Sequence, residues 1–124
     1  GFDVVINLAP ATALGAHADE DALAAQHGMR YFNVAVDFAS PQQEDFEQFV
    51  RILREQRGKR IMVHCQMNMR ASTFVFLYRA IELREDPDQA YDDVLRVWQP
   101  ARQWRDFMRE TLIARGRPLP LALE

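Results

Sequence analysis

The sequence contains very little cysteine, since Cys65 is the only one among 124 residues. A single cysteine excludes a disulfide within the chain, which is typical of a reducing compartment. His17 and His27 do not lie at ligand spacing from His64 or from any cysteine pair, so we predict no metal site and no cofactor. The one thiol is therefore available for chemistry of its own.

Long apolar runs and an excess of positive charge are also missing. No stretch of about eighteen apolar residues occurs, and no charged-then-apolar leader opens the chain, so we expect no membrane span and a cytoplasmic protein. The net charge of −3, with acids and bases interspersed, gives no support for nucleic-acid binding. Because Glu47 and Glu55 lie among the cations of the most basic segment, and Arg51 can pair with Glu55, we interpret that segment as a solvated helix face. Its cations are Arg51, Arg54, Arg57, Lys59 and Arg60.

The length of the chain suits one core. With 124 residues, of which 48% are hydrophobic, the chain is long enough for one domain and short for two. We predict a single domain over 1–116. The tail over 117–124 contains two prolines and no periodic apolar pattern, so we expect it to be irregular or loosely attached. The chain opens on Gly1 and enters a strand almost at once, so preceding residues and a processed signal both stay open.

Strand and helix patterns alternate along the chain. We predict strands at Val4–Leu8, Arg30–Val36 and Arg60–His64. We predict five helices. The first covers 19–27, and the second begins with Ser40 as N-cap and Pro41 at its first position and ends at Gly58. The third covers 71–83, the fourth starts at Asp86-Pro87, and the fifth follows Pro100. This order predicts an α/β fold with a small, mostly parallel sheet flanked by helices and a helical C-terminal half. Ligands in such folds bind at the carboxyl ends of the strands.

The cysteine lies at one of these strand ends. The run His64-Cys65-Gln66-Met67-Asn68-Met69-Arg70-Ala71-Ser72 joins the third strand to an apolar helix. Backbone N–H groups at a helix N-terminus attract anions and stabilise a thiolate. Arg70 adds a planar fork that suits phosphate or sulfate oxygens. Together these features predict nucleophilic attack on an anionic group.

The loop resembles that of the cysteine-dependent phosphatases, the tyrosine and dual-specificity superfamily, which carries His-Cys-x5-Arg-Ser/Thr between strand and helix. Ser72 falls where that family places its hydroxyl residue, whereas the family's arginine position is Ala71 and the arginine stands one place earlier. The family's glycines are also missing, and Asn68 is the residue that best tolerates a left-handed turn. Segments 3–8 and 32–38 are similar to the opening strand and the acid-bearing loop of bacterial phosphatase-like proteins of the dual-specificity type.

The resemblance implies a role for each residue of the site. Cys65 would attack phosphorus and form a phosphocysteine, Asp37 would serve as general acid and then base, and Ser72 would donate a hydrogen bond to the sulfur. Asp37 equally suits a turn that hydrogen-bonds its own backbone, and Asp45 is a weaker acid candidate. The substrate would be a phosphorylated protein or small molecule. The predicted phosphate-binding residues are Gln66, Met67, Asn68, Met69 and Arg70.

Three other interpretations stay open. The Cys-x4-Arg length resembles the six-residue loop of the rhodanese family, which implies a sulfurtransferase with a persulfide on Cys65. A phosphate-binding relative without catalysis would keep the loop and lose turnover. In the third interpretation, Cys65 is an unreactive buried residue at a strand end, and the arginine near it is unrelated.

Overall fold

A computed structural model describes residues 1–10 and 20–124. Its sheet has three strands, β1 (Val4–Asn7), β2 (Arg30–Asn33) and β3 (Ile61–His64), in the order β2-β1-β3. Both pairings are parallel, with Val5 opposite Tyr31 on one side and Met62 on the other. The predicted α/β fold with a small parallel sheet is confirmed. The predictions for His17 and Asp19 lie outside the described residues.

The central strand explains the sequence pattern of the chain's start. All four residues of β1 are buried, as expected for a parallel strand with neighbours on both edges. Parallel strands need crossover connections, which here contain helices α1 (Glu20–Gln26) and α2 (Gln43–Glu55). Predicted strand two is longer than β2, which ends at Asn33, although the backbone N–H groups of Val34 and Val36 still donate to the carbonyls of Asn7 and Leu8 at 3.0 Å. The Asn33 side chain donates to the carbonyls of Asn7 and Ala9 at 2.8 Å.

Three more helices complete the fold. Helix α3 (Met69–Ile81) is buried around most of its circumference and contacts both α4 (Pro87–Val97) and α5 (Arg102–Ala114). The predicted Asp86-Pro87 start of α4 is confirmed, since the Asp86 side chain accepts from the Gln89 N–H. Within the described ranges, no helix is both long enough and apolar enough to cross a membrane.

The start of α2 differs from the prediction. The helix begins at Gln43, with Gln42 rather than Ser40 as its N-cap. The backbone N–H of Gln42 donates to the Asp45 carboxylate at 3.0 Å, and the Ser40 hydroxyl accepts from the Gln42 side chain at 2.8 Å. Ser40 and Gln42 are both exposed polar residues next to Pro41, so the sequence alone did not show which of them caps the helix.

The C-terminal tail is attached rather than loose. Leu121–Leu123 forms a single 3₁₀ turn, and the Leu123 side chain is fully buried in the core. The Leu121 N–H donates to Asp88 at 2.8 Å, and the Arg117 Nε donates to the carbonyl of Ala80, also at 2.8 Å. Residues 117–120 have no regular secondary structure, but the tail is not loosely attached, because one leucine and two hydrogen bonds fix it to α3 and α4.

Candidate functional site

The cysteine loop lies where β3 ends, at the carboxyl edge of the sheet. Helix α3 begins at Met69, two residues earlier than predicted, so Arg70 is its second residue. Asn68 is the N-cap and has φ 61°, which confirms it as the left-handed turn of the loop. Asparagine is one of the few non-glycine residues that adopt this conformation readily, so it replaces the glycine that a tight loop otherwise uses.

The thiol faces the first turn of α3. Cys65 is 8% exposed, and its Sγ accepts a hydrogen bond from the backbone N–H of Ala71 at 3.4 Å. Ala71 is the third residue of the helix, so this donor is one of the N–H groups that have no partner within the helix. The partial positive charge of the helix N-terminus therefore acts directly on the sulfur.

Arg70 is buried beside the thiol and reaches the segment that follows β2. Its side chain is 8% exposed, and its Nη1 donates to the carbonyl of Val36 at 3.4 Å. Its guanidinium carbon lies 5.6 Å from the centre of the Phe38 ring, within cation–π range. Its Nε is buried and has no hydrogen-bond partner within residues 1–10 and 20–124. A buried donor without an acceptor costs about 1–3 kcal/mol, and an oxyanion is an acceptor that this donor suits.

A cavity of about 220 Å³ contains the thiol and the guanidinium. Its remaining walls are largely apolar, and Met67, which is 69% exposed, stands at the mouth. Of the predicted phosphate-binding residues, Asn68 does not line this cavity and instead lines a neighbouring one with Ser72. The lining residues are Phe38, Cys65, Gln66, Met67, Met69 and Arg70.

Phe38 is held in place by the two tryptophans. The ring centroids of Trp98 and Trp104 each lie 5.6 Å from that of Phe38. The Trp104 indole N–H also donates to the Phe38 carbonyl at 2.8 Å. The aromatic wall of the cavity is therefore supported by α5 and by the residue that follows α4.

Asp37 lies next to the cavity but does not line it. The side chain is exposed, and its Oδ1 accepts from the Ala39 N–H at 3.0 Å, while its carbonyl accepts from the Ser40 N–H. This is the turn arrangement considered for Asp37 from the sequence. Asp45, the weaker candidate, lies in the first turn of α2, where burial raises the pKa of its carboxyl group.

Ser72 faces the helix backbone. Its hydroxyl donates to the carbonyl of Met69 at 3.1 Å, whereas the sulfur of Cys65 accepts from the Ala71 N–H. The hydrogen bond from Ser72 to the sulfur that the resemblance implies is therefore not formed in this arrangement.

The structure also contains a polar network behind the loop, which was not predicted from the sequence. The Nε2 of His64 lies 2.5 Å from the Glu20 carboxylate, whose other oxygen accepts from Asn7 at 3.2 Å. Asn7 also donates to the Tyr31 hydroxyl at 3.2 Å. These four residues come from four different elements, so no local spacing indicated them. In the described part of the chain, no group of three His, Cys, Asp or Glu residues could hold a metal ion.

Comparison with solved structures identifies the family. A DUF442 protein from Shewanella putrefaciens CN-32, provisionally designated a phosphatase, superposes with a TM-score of 0.84 at 33% sequence identity. The match covers 93% of this chain and 76% of that one. The chain belongs to the DUF442 family. A second structure of a DUF442 protein from the same organism matches at 35% identity and a TM-score of 0.80, covering 94% of this chain and 74% of that one.

More distant structures share the fold of this DUF442 chain. Tk-PTP, in its active form, matches with a TM-score of 0.73 at 20% identity, over 89% of this chain and 78% of its own. TpbA from P. aeruginosa matches with a TM-score of 0.68 at 16% identity, over 93% and 74%. No protein-family model and no curated protein matches the chain. The predicted phosphatase-like fold and family resemblance are confirmed.

Proposed function

We propose that this chain is a cysteine-dependent phosphatase that hydrolyses a phosphate monoester through a phosphocysteine on Cys65. One observation carries the proposal: Cys65 and Arg70 line the same cavity at the N-terminus of α3, where the sulfur accepts a hydrogen bond from the backbone N–H of Ala71. The same three parts, a nucleophile, a fixed cation and a set of backbone donors, are what phosphoryl transfer requires. Because a reducing compartment keeps a single cysteine in its thiol form, we propose that the reaction takes place in the cytoplasm.

The reaction has two steps. The thiolate of Cys65 attacks phosphorus, a sulfur–phosphorus bond forms, and the bond from phosphorus to the leaving oxygen breaks. The leaving oxygen takes that electron pair and a proton, for which Asp37 is the candidate donor. Water then attacks the phosphocysteine, Asp37 takes a proton from it, and the sulfur–phosphorus bond breaks to release inorganic phosphate and the thiolate.

The loop and the helix stabilise the charge that develops on phosphorus. The guanidinium of Arg70 offers donors to two equatorial oxygens at once, and its Nε is without an acceptor in the described structure. The backbone N–H groups of the loop supply further donors, together with the positive end of the α3 dipole. These contributing loop residues are Gln66, Met67, Asn68 and Met69.

The walls of the cavity favour an aromatic ester. Phe38, Met67 and Met69 present apolar surface beside the thiol, and this surface suits a ring attached to the phosphate. A TpbA structure, with cysteine changed to serine, contains phosphotyrosine, which supports a phosphorylated substrate for this fold. We therefore propose a phosphorylated protein or small molecule with an aryl phosphate as the substrate.

The decisive experiment compares the wild-type protein with Cys65→Ser. We expect wild-type protein to hydrolyse p-nitrophenyl phosphate and Cys65→Ser to lose this activity by at least about a thousandfold, because a hydroxyl is a much weaker nucleophile than a thiolate. Acid-quenched wild-type enzyme should carry one phosphoryl group on Cys65 by peptide mass spectrometry. Thermal melting serves as the folding control. Wild-type protein that is inert towards a panel of aryl phosphates would contradict the proposal.

Sulfur transfer is the second candidate, and the six-residue loop from Cys65 to Arg70 favours it. Here the thiolate attacks the outer sulfur of thiosulfate, a persulfide forms and sulfite leaves; cyanide then removes the sulfur as thiocyanate. The intact mass of the protein should rise by one sulfur and return to its first value after cyanide.

A relative that only binds phosphate would instead bind vanadate saturably without turnover of either substrate.

A further inference from the structure

A second cavity lies at the far end of α3. It has a volume of about 550 Å³, compared with about 220 Å³ at Cys65. Its lining includes Ile81 and Glu82, at the C-terminal end of α3, whereas the thiol faces the N-terminal end. With a rise of 1.5 Å per residue, the two ends of this helix are about 18 Å apart. The two cavities are therefore separate.

Positive charge is concentrated in this second cavity. Among the described residues, five arginines and two glutamates, Glu47 and Glu82, line it, although the whole chain has a net charge of −3. Its sign is therefore opposite to that of the molecule, and this contrast creates a local attraction for anions. We call the cavity the arginine groove and define it by Arg51, Arg54, Arg84, Arg115 and Arg117.

Three of the five arginines are held by partners within the fold. Arg54 forms an ion pair with Glu82, and Arg117 donates to the carbonyl of Ala80 at 2.8 Å. Arg115 donates to the Gln43 side chain at 2.8 Å, and its guanidinium carbon lies 5.0 Å from the ring centre of Phe46. Side chains fixed in this way lose little further freedom when a ligand binds.

The other two arginines are exposed and unengaged. Arg51, on α2, and Arg84, just after α3, make no ion pair or side-chain hydrogen bond with the residues that the structure describes. The expected pair of Arg51 with Glu55 is not formed there. Arg84 has φ 54°, the left-handed conformation with which helices commonly end, and the Glu85 N–H donates back to the Arg79 carbonyl at 3.0 Å.

We propose that the arginine groove binds a small anion that carries two or more phosphate groups. The two unengaged guanidinium groups come from different elements, so together they offer two separate donor forks to an anionic ligand. The volume lies within the usual range for small-molecule sites, about 300–1,000 Å³, and exceeds what a single phosphate fills. Guanidinium forks match phosphate oxygens in pairs.

A compact anion suits the groove better than an acidic peptide. Glu47 and Glu82 line the same cavity and repel anions of either kind, so a ligand gains most when its charge is concentrated at the arginines. Phe46, Val50 and Ile81 supply an apolar floor. The groove therefore favours concentrated charge on a short ligand.

The test is a titration of the full chain with tripolyphosphate, followed by amide chemical shifts. We expect saturable changes at Arg51, Arg84 and Arg115, weakening as salt is added. In the variant Arg51→Gln/Arg84→Gln, affinity should fall at least about tenfold, because each lost guanidinium removes charge-assisted hydrogen bonds. The matched control Arg57→Gln/Arg102→Gln removes the same charge from outside the groove and should keep wild-type affinity.

The outcomes separate this proposal from the phosphatase proposal. Hydrolysis of p-nitrophenyl phosphate should be unchanged in Arg51→Gln/Arg84→Gln. We expect tripolyphosphate to bind in the groove whether or not the protein hydrolyses phosphate esters at Cys65. The groove proposal is overturned if shift changes are absent or confined to the cysteine loop, or if the control variant loses as much affinity as the groove variant. Tighter binding of hexaglutamate than of tripolyphosphate would also overturn it.

Discussion

At the scale of single residues, the proposed acid and the proposed phosphate-binding arginine are placed very differently. Arg70 is buried and lines the cavity, whereas Asp37 is exposed and its carboxylate accepts from its own turn. Phe38, the next residue in the chain, does line the cavity. To act as the proposed acid, Asp37 would have to give up the hydrogen bond from the Ala39 N–H and turn its carboxylate towards the cavity.

Asp37→Asn tests this assignment. If Asp37 protonates the leaving oxygen, the variant should hydrolyse phenyl phosphate about a hundredfold more slowly, since phenolate is a poor leaving group that needs a proton. Hydrolysis of p-nitrophenyl phosphate should fall much less. Steady-state rates for the two esters provide the measurement.

The matched control for that experiment is Asp45→Asn, the other acid considered. It should leave the ratio of the two rates unchanged. Asparagine can still accept the hydrogen bond from Ala39, so the turn at position 37 is preserved. Equal losses on both esters in Asp37→Asn would assign Asp37 a structural role only.

At the scale of elements, the tail shows how a short segment without periodicity becomes part of the core. Residues 117–124 contain two prolines and no repeating apolar pattern, yet Leu123 is as buried as the central strand. Its 3₁₀ turn is held by the Asp88 carboxylate at the start of α4. The tail thus connects the C-terminus to the helical half of the molecule.

Leu123→Ala should lower the free energy of unfolding by about 2–4 kcal/mol, because it removes buried methyl groups and leaves a cavity. Leu121→Ala is the matched control: its side chain is 73% exposed, and the same deletion should cost less than about 0.5 kcal/mol. Urea denaturation followed by circular dichroism measures both. Similar small losses in the two variants would show that the tail is not packed in solution.

The elements also show what could be predicted from the sequence. Strand β1, the apolar helix α3 and the left-handed Asn68 depend on residues close together in the chain, and each was predicted from its local pattern. Cys65 and Arg70 share a cavity because one short loop joins them. The contact of His64 with Glu20, 44 residues away, depends on how the strands assemble. The sequence could not reveal such contacts because nothing local encodes them.

At the scale of the whole molecule, ion pairs link α3 to α4. Arg79 on α3 contacts Asp93 on α4 at 2.6 Å and Glu85 in the connecting segment at 3.0 Å. The hydrogen bond from Arg79 lowers the pKa of Asp93, and the charge of Arg96 acts in the same direction. Folding stability is therefore coupled to pH through this contact.

The sign of that coupling gives a prediction. Asp93 has a lower pKa in the folded chain, so its contribution is complete above the ordinary value of 3.8 and is lost as pH falls through the folded-state pKa. The melting temperature of Asp93→Asn should therefore fall less steeply than that of wild type as the pH drops below 3.8. Thermal melts over a pH series provide the measurement.

Asp92→Asn is the control for that series. Asp92 is an exposed neighbour that makes no ion pair with the rest of the described chain, so its variant should follow the wild-type curve. If Asp93→Asn and wild type lose stability in parallel, the contact with Arg79 does not contribute to acid sensitivity.

The aromatic wall of the site has a practical consequence. The chain has two tryptophans, Trp98 and Trp104, and both rings contact Phe38, which forms one side of the cavity at Cys65. All indole emission of the protein thus originates beside the cavity at Cys65 and not at the distant arginine groove. Unlabelled protein therefore carries its own fluorescent reporter for the cavity at Cys65: a ligand bound there should change the emission, whereas a ligand in the arginine groove should leave it unchanged.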